Sequence, residues 1–143
     1  NSSGATTRVA WRPGSCANLF PGTAKNDVAR GTSAGDTIEG LDGNDVINGL
    51  RGADCILGGL GNDRLSGGDG NDVIDGGPGN DRISGDAGRD QIQGGTGSDT
   101  IDVVDGHADV VNCGPGSDRV RVDSRDRVRG CERVTHVKYR RPS

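Results

Sequence analysis

Eight aspartates stand nine residues apart through the middle of this chain: Asp36, Asp45, Asp54, Asp63, Asp72, Asp81, Asp90 and Asp99. Two residues after each comes a large aliphatic side chain: Ile38, Ile47, Ile56, Leu65, Ile74, Ile83, Ile92 and Ile101. Glycines precede most of the aspartates. A carboxylate in fixed phase with a glycine-rich turn is a donor set for a hard cation. Calcium accepts six to eight oxygens, from carboxylates and from backbone carbonyls, at about 2.3–2.6 Å, and such a turn presents carbonyls inward. Magnesium demands a stricter octahedron and keeps more of its water. Simple turn chemistry would explain the glycines, but not an aspartate and an aliphatic residue held in phase.

Other site chemistries fit poorly. No GxxxxGK[ST] phosphate loop occurs. The acidic loops lack the Glu at position twelve and the flanking helices of an EF-hand. There is no CxxC, and neither histidine lies at a zinc-finger spacing from a cysteine. His107 and His136 are the only histidines, and the serines and threonines have no base nearby in sequence. No catalytic constellation is visible, so a non-enzymatic role is expected.

The elements that must position the aspartates are short. From Gly58 to Asp102 the chain reads GGLGNDRLS, GGDGNDVID, GGPGNDRIS, GDAGRDQIQ, GGTGSDTID. The glycine half takes backbone angles that a Cβ disfavours and makes a tight turn. The other half makes a strand of about three residues. Alternation then points the eighth residue inward and the seventh and ninth outward. Thr37, Arg64, Arg82, Gln91 and Thr100 fit one outward column, and Glu39, Asn48, Ser66, Ser84 and Gln93 the other, with Leu57 an exposed exception. Leu, Ile, Val and Phe total only 27 of 143 residues, against 27 glycines, so the core is narrow and bound metal is expected to support it.

The pattern G-G-x-G-x-D-x-U-x, with U a large aliphatic residue, resembles the RTX, or haemolysin-type calcium-binding, family. The resemblance implies an all-β fold: a right-handed parallel β-roll, a β-solenoid of nonapeptide repeats with N- and C-terminal caps. Two repeats make one coil, and repeats two apart stack at about the 4.8 Å strand spacing. Each ion sits between two stacked loops and uses the aspartate of both. The implied metal ligands are Asp36, Asp45, Asp54, Asp63, Asp72, Asp81, Asp90, Asp99 and Asp118, and the cofactor is Ca2+, several ions. The expected pairs are 45/63, 63/81, 81/99, 36/54, 54/72 and 72/90. Asp99/Asp118 and Asp90/Asp109 are weaker pairs, because His107 replaces a repeat glycine near Asp109. Stacked carboxylates repel, so folding should be driven by calcium.

The chain reads as a single domain, 1–143. Residues 1–30 form an N-terminal cap, around Trp11, Cys16, Leu19 and Phe20, and a degenerate repeat in which Ala29 replaces the aliphatic residue. Residues 31–102 are regular repeats, 103–134 degenerate repeats and a C-terminal cap, and 135–143 a basic tail. An even cysteine count in a core-poor chain favours disulfides and an oxidising compartment. With two repeats per coil, Cys55 and Cys113 lie about three coils apart, roughly 15 Å along the axis, too far to bridge. Cys16–Cys55 and Cys113–Cys131 are the expected pairs.

Residues 1–118 hold 8 basic and 18 acidic side chains, and 119–143 hold 9 and 3. The acidic part calls for cations, and the basic tail suits a cell-surface or matrix polyanion. No nucleic-acid partner and no membrane span are expected. The RRPS ending and the absence of a visible leader point to export by an N-terminal signal since removed, hence a secreted protein. The leading reading is a secreted calcium-binding roll with a structural or interaction role. The alternatives are a non-catalytic module of a larger exported toxin or hydrolase, and an ice-binding solenoid. For ice binding there is no threonine ladder, although Asn44, Asn62, Asn71 and Asn80 recur at the fifth position.

Overall fold

The computed structural model describes residues 18–138. Fourteen short strands follow one another, and no helix occurs among these residues. They are β1 (Asn18–Thr23), β2 (Val28–Arg30), β3 (Asp36–Leu41), β4 (Val46–Asn48), β5 (Cys55–Leu57), β6 (Arg64–Ser66), β7 (Val73–Asp75), β8 (Arg82–Ser84), β9 (Gln91–Gln93), β10 (Thr100–Asp102), β11 (Val110–Asn112), β12 (Arg119–Val122), β13 (Arg127–Arg129) and β14 (Arg133–His136). A turn after each strand sends the chain to the opposite side. Odd-numbered strands make one seven-stranded sheet and even-numbered strands the other, each in order along the molecule. Every pairing is parallel, as in a β-solenoid.

The register follows from the nine-residue period. Two repeats complete a coil, so Ile47 lies beside Leu65 and Ile56 beside Ile74. A three-residue strand turns only its middle side chain inward. The core is therefore two facing ladders, each one side chain wide. Ile38, Ile56, Ile74, Ile92 and Val111 come from one sheet, and Ile47, Leu65, Ile83, Ile101 and Val120 from the other.

After Asp102 the repeat gains a residue, and both sheets absorb it together. Gln91 pairs with Val110 and Thr100 with Arg119, an offset of 19 in each case. A one-residue slip in a strand would turn its inward side chain to solvent. Placing the extra residue in the turn keeps Val111 and Val120 buried, and Val103 and Val122 join the core here. The C-terminal segment supplies two more rungs. Val128 of β13 sits beside Val111 and Val134 of β14 beside Val120, both partly buried against the core. His136, expected in a tail, is part of β14 beside Val122.

Some side chains expected outside are not exposed. Thr37, Glu39 and Cys55, on β3 and β5, are buried, and Leu57 is half-buried. Cys55 is disulfide-bonded, while its expected partner Cys16 and most of the proposed N-terminal cap lie outside the described residues, as do residues 139–143 of the basic tail. Cys113 and Cys131 are joined as expected, with Cα atoms 5.1 Å apart.

Candidate metal centre

The turns carry the aspartates into two stacks, one per sheet edge. Each sixth-position Asp stands just before its strand or, for Asp36, at the strand's first residue, and along each stack Oδ1 accepts the backbone N–H of the Asp one coil earlier. One stack links Asp36 N–H to Asp54 at 2.8 Å, Asp54 to Asp72 at 2.8 Å, Asp72 to Asp90 at 2.8 Å and Asp90 to Asp109 at 2.7 Å. The other links Asp27 to Asp45 at 2.7 Å, Asp45 to Asp63 at 2.8 Å, Asp63 to Asp81 at 2.8 Å, Asp81 to Asp99 at 2.9 Å and Asp99 to Asp118 at 2.8 Å. All the paired aspartates named from the sequence are thus stacked. Asp109, doubted because of the irregular loop, occupies the same position as the rest. The offset of Asp109 from the strand that follows was its surviving signal.

The second carboxylate oxygen is left over. Oδ2 of Asp45, Asp54, Asp63, Asp72, Asp81, Asp90, Asp99, Asp109 and Asp118 is buried without a hydrogen-bond partner. Such an oxygen has lost its water and gained nothing in return, a cost of about 1–3 kcal/mol or more for a charged group. The space it faces is lined by oxygen and kept open by glycine. A Cβ on Gly58 would meet Asp63 Oδ2 at 2.7 Å and the carbonyl oxygen of Gly76, in the next coil, at 2.6 Å. One on Gly76 would meet Asp81 Oδ2 and the Gly94 carbonyl oxygen, both at 2.6 Å.

The electrostatics agree. Burial pushes the carboxyl of Asp54 up to about 6, those of Asp63, Asp72, Asp99 and Asp109 to about 7, and those of Asp81 and Asp90 to about 8. The N–H bond to Oδ1 pulls each the other way, and repulsion from neighbouring aspartates adds to the rise. Neutral pH would thus force charge into a place that resists it unless a cation is present.

Loops that leave Oδ2 of their aspartate unpaired differ from those that do not in the backbone of the second and fourth positions. In loops of the first kind, apart from that of Asp109 with Val104 there, the second position is left-handed even where the residue is not glycine: φ is 72° at Leu41, 75° at Leu50 and 64° at Asp86. Thr23 and Thr32 hold this position in the first two loops, and neither adopts a positive φ, which a β-branched side chain strongly disfavours. Instead each binds the carboxylate itself. Thr23 N–H donates to Asp27 Oδ2 at 2.7 Å, and its Oγ1 lies 2.9 Å from Oδ1. Thr32 does the same for Asp36. Asp36 is therefore buried in its stack with Oδ2 already hydrogen-bonded, unlike the other aspartates named from the sequence. At the far end Asp126 accepts Asp109 N–H at 3.0 Å through Oδ1 and Asp123 N–H at 2.7 Å through Oδ2.

The recurring asparagines stack the loops. Asn44 Oδ1 accepts the N–H of Asn62 at 2.8 Å, Asn62 that of Asn80 at 2.8 Å, and Asn80 that of Ser98 at 2.8 Å. Aspartate reaches back one coil and asparagine reaches forward one, so each turn is tied to both neighbours.

Among the described residues no three carboxylate, imidazole or thiol groups converge. A cation between two coils would draw on aspartate oxygen and backbone carbonyls alone. That all-oxygen set suits calcium and not the softer transition metals. His107 is engaged elsewhere, with Nδ1 2.8 Å from Asp105 Oδ2 at the surface.

A family model described as RTX calcium-binding nonapeptide repeat (4 copies) matches residues 21–56, 30–65, 57–92, 75–107 and 84–120. Neither the curated proteins nor the solved structures gave a match to this chain.

Proposed function

The chain belongs to the RTX calcium-binding nonapeptide repeat family, and on that premise we propose that it is a calcium-loaded structural roll whose folding is completed by the ions it binds. The observation that carries this is the set of nine buried Oδ2 atoms with no partner. Ions held between successive coils by Asp45, Asp63, Asp81, Asp99 and Asp118 in one stack, and by Asp54, Asp72, Asp90 and Asp109 in the other, would neutralise them. The bound ion supplies positive charge. The chain supplies the carboxylates, the carbonyls and the glycine-shaped space. Binding free energy of this kind is folding free energy, because the unfolded chain has no preformed site.

The role is non-catalytic, and the setting is extracellular. A disulfide in a chain with so thin a core supports an oxidising compartment, and repeats of this family occur in exported proteins. Among the described residues no helix is long and apolar enough to cross a membrane. Ice binding draws little support, since the asparagine side chains that recur are spent on stacking the loops.

Far-UV circular dichroism of the oxidised chain, stripped of metal and titrated with calcium, tests the proposal. A cooperative gain of β signal with calcium and none with magnesium is the expected result. A stripped chain already fully folded at neutral pH, with no change on adding calcium, would overturn it.

A further inference from the structure

Coiling gathers onto one outer face arginines that are far apart in sequence. Arg64, Arg82, Arg119 and Arg133 share one outward position of the even sheet, on β6, β8, β12 and β14. Arg64 pairs with Arg82 and Arg119 with Arg133, while Thr100 of β10 sits between Arg82 and Arg119. All four arginines are exposed. Among the described residues none has a carboxylate within ion-pair distance; Arg121 on the same face does, bonded to Asp102 at 2.7 Å. Five rungs at the strand spacing make a line roughly 19 Å long. Like charges directly opposite on neighbouring strands are unfavourable, so this line costs stability until an anion meets it.

We infer that this arginine line is the docking surface for an extended acidic polysaccharide. Two adjacent arginine pairs, set two rungs apart by Thr100, match a linear polymer that carries anionic groups along its length. Guanidinium groups bind carboxylate or sulfate in bidentate fashion, and the hydroxyl of Thr100 within the line suits a sugar hydroxyl, while those of Ser66 and Ser84 beside it donate to Asp86. Single-stranded nucleic acid is held largely by stacking its bases on aromatic rings, and this line has none. The inference rests on the calcium-loaded roll proposed above. With the aspartate stacks uncompensated, the chain as a whole is acidic, with a formal net charge of -4. Bound calcium reverses that balance and lets the polymer approach.

The experiment is salt elution from immobilised heparin, run with the oxidised, calcium-loaded chain, with folding followed on the same samples by circular dichroism. The wild-type chain should be retained, and the Arg64→Gln/Arg82→Gln variant should bind at least tenfold more weakly while folding with calcium as before. Arg127→Gln/Arg129→Gln, on the opposite sheet, should elute with wild type. Full retention of the Arg64/Arg82 variant overturns the inference. So does equal loss in Lys138→Gln/Arg140→Gln/Arg141→Gln, which would assign binding to the basic tail, or equally tight binding to a single-stranded oligonucleotide. A chain that folds with calcium and ignores heparin overturns this inference alone. A chain folded without calcium overturns the earlier proposal, and heparin retention unchanged by chelator would then remove the calcium requirement drawn here.

Discussion

Thr32 holds the carboxylate of Asp36 in both hands: its N–H donates to Oδ2 at 2.5 Å, and its Oγ1 lies 3.0 Å from Oδ2 and 3.1 Å from Oδ1. One coil later, Leu50 stands where Thr32 stood, with φ at 75°, and Oδ2 of Asp54 has no partner. Two loops of the same length thus satisfy the same carboxylate differently, one with a hydroxyl and an amide, the other by leaving room for a cation. The loops differ at the second to fifth positions, GTSAGD against GLRGAD, and besides Thr32 against Leu50 the fourth position changes from Ala34 to Gly52, at φ 106°.

Thr32→Val keeps the β-branch and removes the hydroxyl. It should destabilise the calcium-loaded roll by about 1–2 kcal/mol and leave the number of bound ions unchanged. Denaturant unfolding with calorimetric stoichiometry checks this. Loss of an ion on that substitution would show that Thr32 belongs to a metal site after all.

Asp72→Asn should act with opposite signs in the two states. Asp72 is stacked between Asp54 and Asp90, so removing its charge should raise the calcium midpoint tenfold or more, about 1.4 kcal/mol. In the metal-free chain the same change removes a buried, unpaired charge and should stabilise any residual fold at pH 8. Equal destabilisation with and without calcium would contradict the metal reading.

Much of this was legible in the sequence, for a physical reason. A solenoid reads its register from its period, and with the two repeats per coil that the family resemblance implies, Asp and Ile nine apart determined which aspartates stack. The arginine line was hidden, because Arg64 and Arg82 lie in acidic repeats while Arg119 and Arg133 lie in the basic end, and only the two-per-coil wrap unites them. Thr32 was overlooked because its effect depends on a backbone angle that the motif does not spell out. Asp109 was discounted on a neighbouring histidine, although the inserted residue is taken up by the turn and leaves the stack intact.

The pH dependence follows from the raised carboxyl groups. In the metal-free fold Asp54 sits near 6, Asp63 and Asp72 near 7, and Asp81 and Asp90 near 8, against about 3.9 in an unfolded chain. Between these limits the folded state binds more protons than the unfolded one, so stability falls as pH rises from about 4 to about 8. With saturating calcium the trend should reverse, because binding displaces those protons. Thermal melts of the stripped and loaded chain at pH 4.5, 6 and 8 check both directions. A stripped chain that grows more stable towards pH 8 would be incompatible with buried, unpaired carboxylates.

Cys113 stands at the first position of the Asp118 loop, where the regular repeats have glycine, and its bond to Cys131 ties that loop to the closing strands. For a separation of 18 residues the chain-entropy contribution is about 3 kcal/mol. Cys113→Ser/Cys131→Ser should lower stability by that order in calcium, with the central ions retained. A loss of calcium stoichiometry along the whole roll would mean that the crosslink organises the sites and does not merely close the end.

Gly76→Ala separates the two uses of glycine in the repeat. Gly76 is not among the residues with left-handed backbone, so alanine there meets no conformational penalty of that kind. Its methyl would instead lie 2.6 Å from Asp81 Oδ2 and 2.6 Å from the Gly94 carbonyl oxygen, in the space a cation would share with those oxygens. The substitution should therefore abolish binding at that loop, and calorimetry should count fewer ions than in wild type. Gly79→Ala, at φ 129°, should destabilise the roll through the backbone. If Gly76→Ala kept every ion and lost only stability, the oxygen-lined space would be a packing feature and the metal would lie elsewhere.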